Sequence, residues 1–181
     1  MDTQNLERFL NSFGGQVMKD ARANLIKAKG DTALGNSIRF EVSRTDQGFS
    51  TKFFMEDYGT YLDKGVSGNK TPQSFTNYKE QNQSSPYSYT TKGPPIDILS
   101  KWIKRKGIKP KGFGRGRSKN TGQYISAFAY LISRKIKRDG IKSLSFFQIP
   151  LGIGLKKVKD KMLKELKLDI ETYLTTYYRP K

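Results

Sequence analysis

Nine cations lie within nineteen residues: Lys101, Lys104, Arg105, Lys106, Lys109, Lys111, Arg115, Arg117 and Lys119. No carboxylate interrupts them. Side chains of this kind at this density do Coulombic work, gripping phosphates or the acidic flank of another protein. The run belongs to a wider asymmetry. Residues 1–90 carry 11 basic and 10 acidic side chains and residues 91–181 carry 23 and 6, so the net +18 divides as +1 and +17. A face so one-sided meets an anion or repels itself across water. The ordinary alternative is a solvated surface kept for solubility.

Bond-making chemistry is less well supplied. The chain has no histidine and no cysteine, which removes the usual general base, the commonest transition-metal ligand, thiolate nucleophiles, disulfides and zinc sites of the usual kind. Glu41, Glu56, Asp57, Asp63 and Lys64 are the set a Mg²⁺-dependent nuclease would draw on, and such a site needs converging oxygen ligands. Glu56 and Asp57 are chain neighbours in a turn-like stretch and point apart, so these residues read as solubilising a sheet edge. Gly152-Ile153-Gly154-Leu155-Lys156-Lys157 resembles a phosphate loop but lacks the Walker spacing and the Lys-Ser/Thr ending. A glycine-rich start to a helix explains it. The expectation is no enzyme, no catalytic residue, no metal and no cofactor.

The elements that carry these residues follow from periodicity. Leu6, Phe9, Leu10, Phe13, Val17, Ala21, Leu25 and Ala28 recur at spacings of three and four, predicting a helix that ends near Gly30. Gly14-Gly15 inside it predicts a kink, a close backbone approach or a break between two shorter helices. Ile38, Phe40 and Val42, then Phe49, Thr51, Phe53 and Met55, alternate with polar neighbours across Thr45-Asp46-Gln47-Gly48, predicting a β-hairpin. Residues 66–95 are rich in Ser, Asn, Gln, Thr, Tyr and Pro and read as a polar insertion, floppy in a monomer or ordered as an arm against a neighbour.

Pro94-Pro95 opens a short helix with Ile96, Leu99 and Ile103 on one side, a stop at Gly107, and Trp102 as an anchor to the sheet or a partner. Gly112 to Arg117 reads as a mobile loop. A further helix buries Ile125, Phe128, Ile132 and Ile136 and is capped by Gly140. Ile141 to Ile149 reads as one more strand. The last helix starts near Leu155, with Val158, Met162, Leu166, Ile170 and Tyr173 on one face and Lys156, Lys157, Lys159, Lys161, Lys164 and Lys167 on the others.

Three landmarks in order carry a family resemblance: the strand start Leu34-Gly35-Asn36-Ser37-Ile38-Arg39-Phe40-Glu41-Val42, the segment Tyr58-Gly59-Thr60-Tyr61-Leu62-Asp63-Lys64-Gly65, and Phe146-Phe147 before a final helix. The chain resembles the neck, or tail-completion, proteins of tailed bacteriophages. Asp63-Lys64-Gly65 stands where that family has Glu-x-Gly-Thr, and residues 66–95 and 101–119 lie outside the family core. The resemblance implies an α+β virion component that forms a homo-oligomeric ring at the head–tail junction, between portal or adaptor and tail proteins, assembled in the host cytoplasm. Around such a ring the nine cations would form a band lining a DNA conduit or clasping acidic neighbours.

The expected fold is a single α+β domain over 1–181. A small antiparallel sheet packs against a long N-terminal helix and C-terminal helices, with 66–95 as insertion and 101–119 as a basic loop-helix segment. No run approaches the ~18 apolar residues that cross a bilayer, and Met1 to Leu10 reads as lacking a secretory leader, so no membrane partner is expected. The alternative function is a nucleic-acid-binding protein without catalytic activity. Phe113, Arg115 and Arg117 would then grip single strands, although no helix-turn-helix, RNP or zinc pattern is evident.

Overall fold

The computed structural model describes residues 3–45, 48–108, 115–117 and 124–177. In chain order the elements are α1 (Gln4–Lys29), α2 (Ala33–Ser37), β1 (Arg39–Thr45), β2 (Gly48–Phe54), α3 (Gly59–Lys64), β3 (Val66–Ser67), β4 (Ser74–Thr76), β5 (Asn82–Ser84), α4 (Ile96–Arg105), β6 (Arg115–Arg117), β7 (Tyr124–Ser126), α5 (Ala127–Asp139), β8 (Gly140–Ile141) and α6 (Gln148–Tyr177). The fold is α+β, with strands paired as β1-β2, β3-β8, β4-β5 and β6-β7. These elements form two compact units, Met1–Asp63 with Thr76–Asn82 and Leu144–Lys181, and Lys64–Phe75 with Gln83–Ser143.

The first unit is organised by α1. Its predicted stripe buries Val17, Ala21 and Leu25 completely, while Ala28 is exposed as the helix runs out at Gly30. Gly30 has φ +76° and donates its N–H to the Ile26 carbonyl, a left-handed stop that glycine adopts without a Cβ clash. β1 and β2 form the expected antiparallel hairpin, in register from Arg39 opposite Phe54 to Thr45 opposite Gly48. Leu34, Ile38, Phe146 and Phe147 join the α1 stripe in one core. Phe53 sits among three rings, 6.3 Å from Phe13 and 5.3 Å from Phe147 edge-on, and 6.2 Å from Phe40, the geometry aromatic quadrupoles favour.

Gly14-Gly15 turns out to be the site of close approach, inside one unbroken helix. A Cβ on Gly14 would lie 2.3 Å from the Phe40 ring, whereas one on Gly15 would approach nothing closer than 4.0 Å. Gly14 therefore lets the hairpin seat its aromatic against the helix backbone.

The C-terminal elements differ from expectation. The predicted strand over 141–149 is confined to β8, and α6 begins at Gln148, not near Leu155. Phe146 and Phe147 form the turn that leads into α6, directly after Ser145 at φ +45°, and both are buried. Leu144 and Ser145 donate their N–H groups to the carbonyls of Leu62 and Asp63, and Phe147 donates to the Asp63 carboxylate. Pro150 is tolerated because the first-turn N–H groups of a helix lack intrahelical partners anyway. Gly152 and Gly154 lie inside α6. Gly152 meets the Tyr78 carbonyl and Gly154 meets the Phe13 ring. Val158, Met162 and Leu166 are half-buried as the stripe requires, but Ile170 and Tyr173 are exposed and Asp169 is buried.

In the second unit, residues described between 66 and 95 are tied down, contrary to the expectation of a floppy arm. β3 pairs with β8, Ser67 exchanges backbone hydrogen bonds with Tyr87 and Tyr89, and the Ser85 hydroxyl donates to the Gly65 carbonyl. Short polar side chains replace the missing aliphatics by satisfying backbone groups locally. α4 buries Ile103 with Ile96 and Leu99 half-buried, and Gly107 (φ +65°) follows its end. Trp102 retains 37% of its surface exposed. Arg115–Arg117 is a strand, not loop, antiparallel to β7. That pairing takes Ile125 out of the predicted helix. α5 starts at Ala127, its buried positions are Ala129 and Ser133, and Phe128, Ile132 and Ile136 are half-buried.

Candidate polyanion-binding surface

The charge asymmetry sharpens when counted by structural unit. The second unit carries 17 basic side chains and two acidic ones, Asp97 and Asp139, a net +15, while the first carries 17 and 14, a net +3. Both acids of the second unit are engaged. Asp97 sits in the first turn of α4, where the helix dipole favours an anion. Asp139 forms a two-bond pair with Arg138, at 2.7 and 2.9 Å. That bond holds the Asp139 carboxyl below its ordinary range and raises the Arg138 guanidinium.

Of the nine cations singled out by sequence, Lys101, Lys104 and Arg105 lie on α4 and Lys106 is its C-cap. All four are exposed, and none is paired with a carboxylate among the described residues. By helical geometry the three on α4 fan over an arc of about 100° away from the Ile96, Leu99 and Ile103 stripe. Lys104 and Arg105 also complement the negative end of the α4 dipole, so part of their purpose is structural. Arg115 and Arg117 stand on β6, opposite Ser126 and Tyr124. Lys109, Lys111 and Lys119, like Phe113, lie outside the described residues.

A second group of cations was not singled out by sequence reasoning. α5 carries Arg134, Lys135, Lys137 and Arg138 towards its C-terminus. The loop after β3 reaches that end, with Asn69 and Lys70 donating their N–H groups to the Lys137 and Arg138 carbonyls at 2.9 and 3.1 Å. These bonds satisfy carbonyls the helix leaves unpaired and bring Lys70 to residues more than sixty positions away. Gly140 (φ +78°) makes this possible, since a Cβ there would lie 2.1 Å from the Val66 carbonyl. Segment 91–94 is fastened alongside, with Lys137 Nζ donating to the Thr91 carbonyl at 2.6 Å and the Ser133 hydroxyl to the Pro94 carbonyl at 2.7 Å. The result is a groove of about 800 Å³ with cations on its rim and Ile96, Tyr130 and Leu131 among its walls. The sequence signal was the Arg-Lys-x-Lys-Arg cluster just before a helix-ending glycine.

The carboxylates considered for metal chemistry do not converge. Glu41, Glu56 and Asp57 are exposed, while Asp63 is buried and bonded to the Phe147 N–H. Among the described residues no group of three carboxylates is placed to hold a metal ion, and no helix is long and apolar enough to cross a membrane. No family model, curated protein or solved structure matches this chain.

Proposed function

We propose that this protein is a non-enzymatic structural component of the head–tail connector of a tailed bacteriophage, a neck or tail-completion protein. It would work as a homo-oligomeric ring between portal or adaptor and tail proteins, reaching the virion after assembly in the host cytoplasm. One observation carries the reading: the landmarks behind the family resemblance converge on a single core. Leu34 and Ile38 are buried in it, Gly59 packs against Met55 and Leu34, Asp63 holds Phe147, and Phe146 is fully buried. Most of the segments outside the family core lie in the second unit with its net +15. That unit supplies the cationic surface with which each copy would meet packaged DNA or an acidic neighbour.

The test is mass spectrometry of purified virions from infected cells, with this chain expected in stoichiometric amounts. Absence from particles that eject their genome normally would remove the reading. The charge of the second unit alone favours a second reading, a nucleic-acid-binding protein acting outside a virion. Strong nucleic-acid binding together with absence from particles would select it.

A further inference from the structure

The groove beside α5 has features that a surface kept for solubility does not need. Along the helix, Tyr130 precedes Arg134 by one turn and Leu131 precedes Lys135 by one turn, with Arg138 a further turn on. Residues four apart share a helix face. Tyr130 and Leu131 remain 47% and 43% exposed, and the Arg134 guanidinium lies 5.8 Å from the centre of the Tyr130 ring. Lys70 approaches from the loop that caps the helix, and Ile96 adds an apolar wall. Of the two acids in the second unit, Asp139 is bonded to Arg138 and Asp97 follows Ile96 in the first turn of α4.

We propose that this groove binds single-stranded nucleic acid, bases lying against Tyr130, Leu131 and Ile96 and phosphates against Lys70, Arg134, Lys135 and Arg138. Single-strand sites combine a cationic track with surfaces on which bases stack. A duplex would offer phosphates to the rim and leave the apolar walls empty. An acidic peptide could satisfy the cations but would bring no flat bases to lie against Tyr130, Leu131 and Ile96. The proposal goes beyond the connector reading and does not depend on it, since it concerns the isolated chain.

The test is fluorescence anisotropy of the full-length protein with a labelled twelve-residue oligothymidylate, across a salt series. Three variants are compared: K70Q/R134Q/K135Q in the groove, K19Q/K52Q/K164Q as a control of equal charge on exposed lysines of the first unit, and Tyr130→Ala. Circular dichroism establishes that each is folded; Tyr130→Leu, which keeps apolar bulk without an aromatic face, replaces Tyr130→Ala if the latter is not, and Tyr130→Phe is the control that keeps the ring. The groove triple should weaken binding at least tenfold and reduce the salt slope by about 2, since single strands release roughly 0.7 ion per contact. The control should change affinity less than threefold. Tyr130→Ala should weaken binding about tenfold, the scale of one lost stacking contact, while Tyr130→Phe should bind as the wild type. Equal losses in the two triples, tighter binding of a duplex of the same length, or displacement by polyglutamate as effective as by unlabelled oligothymidylate would each overturn the proposal.

Discussion

The Asp169 carboxylate, on the last helix, accepts the backbone N–H of Leu6 at 3.0 Å and so caps the start of the first helix. Its other oxygen accepts from the Asn5 N–H at 3.1 Å and the Asn5 side-chain amide at 2.9 Å. Thr3, at the N-cap position of α1, makes no side-chain capping bond. A carboxylate 163 residues away replaces the local cap, and it opposes the positive end of the α1 dipole. Asp169→Ala should therefore cost about 2 kcal/mol, the upper range for a lost cap, and leave three part-buried donors to water. Asp169→Asn keeps an acceptor and should cost less. Urea denaturation measures both, and an alanine variant within 0.5 kcal/mol of wild type would show that the contact contributes nothing.

Gly14 and Gly15 should respond to alanine in opposite directions. Alanine is favoured over glycine in a helix by about 1 kcal/mol. At Gly15 nothing opposes that gain, so Gly15→Ala should be neutral to stabilising. At Gly14 the new methyl meets the Phe40 ring, and overpacking of this kind costs about 1–3 kcal/mol. Thermal melts of the two variants should move apart. A Gly14→Ala melt at or above that of Gly15→Ala would contradict the close approach.

Asp63 should matter for stability through the peptide it holds. It is 3% exposed and accepts the Phe147 N–H at 2.9 Å. Asp63→Ala would leave that buried donor unpaired, at about 1–3 kcal/mol. Asp63→Asn retains an oxygen to accept it and should recover most of the loss. Denaturation midpoints for the pair decide this, and equal losses would point to the charge of Asp63 in place of its hydrogen bond.

What the sequence made legible was periodic and local. The α1 stripe and the β1-β2 alternation each repeat an apolar residue at the spacing of the element, and both elements stand where the pattern puts them. The start of α6 was hidden because Ile141 to Ile149 has strand-like composition, and Phe146-Phe147 is buried by a long-range bond to Asp63. Residues 66–95 looked unstructured because their fastening uses hydroxyls and amides, which leave no hydrophobic period. The basic run was visible as charge. The groove was not, because Lys70 and Arg134 come to line one groove through the hydrogen bonds of Asn69 and Lys70 to the end of α5.

The Arg138–Asp139 pair gives a pH signature. Chiefly through its hydrogen bond to Arg138, Asp139 has its carboxyl pKa lowered on folding. A group lowered on folding stabilises the fold above its unfolded pKa and loses that contribution as pH falls through the folded value. The pair is exposed, so the effect on stability is small. The titration itself is measurable: the Asp139 carboxyl midpoint, followed by carbon NMR, should rise in Arg138→Gln. An unmoved midpoint would mean the pair does not persist in solution.

The cations of α4 can be tested for duplex binding separately from their effect on stability. Lys101, Lys104, Arg105 and Lys106 are exposed on a short helix in the unit that carries +15. If they contact phosphates, changing all four to glutamine should flatten the dependence of log affinity on log salt. Each contact contributes about 0.9 on a duplex, so four would remove a slope of about 3.6. Stability should change much less, because only Lys104 and Arg105 sit in the last turn of α4, each contributing about 0.3–1 kcal/mol through the dipole. Duplex binding measured from low to moderate salt, beside a urea melt, separates the two effects. A slope unchanged in a folded variant would leave these residues as helix-terminal charges facing water, and the polyanion contact would then rest on the α5 groove alone.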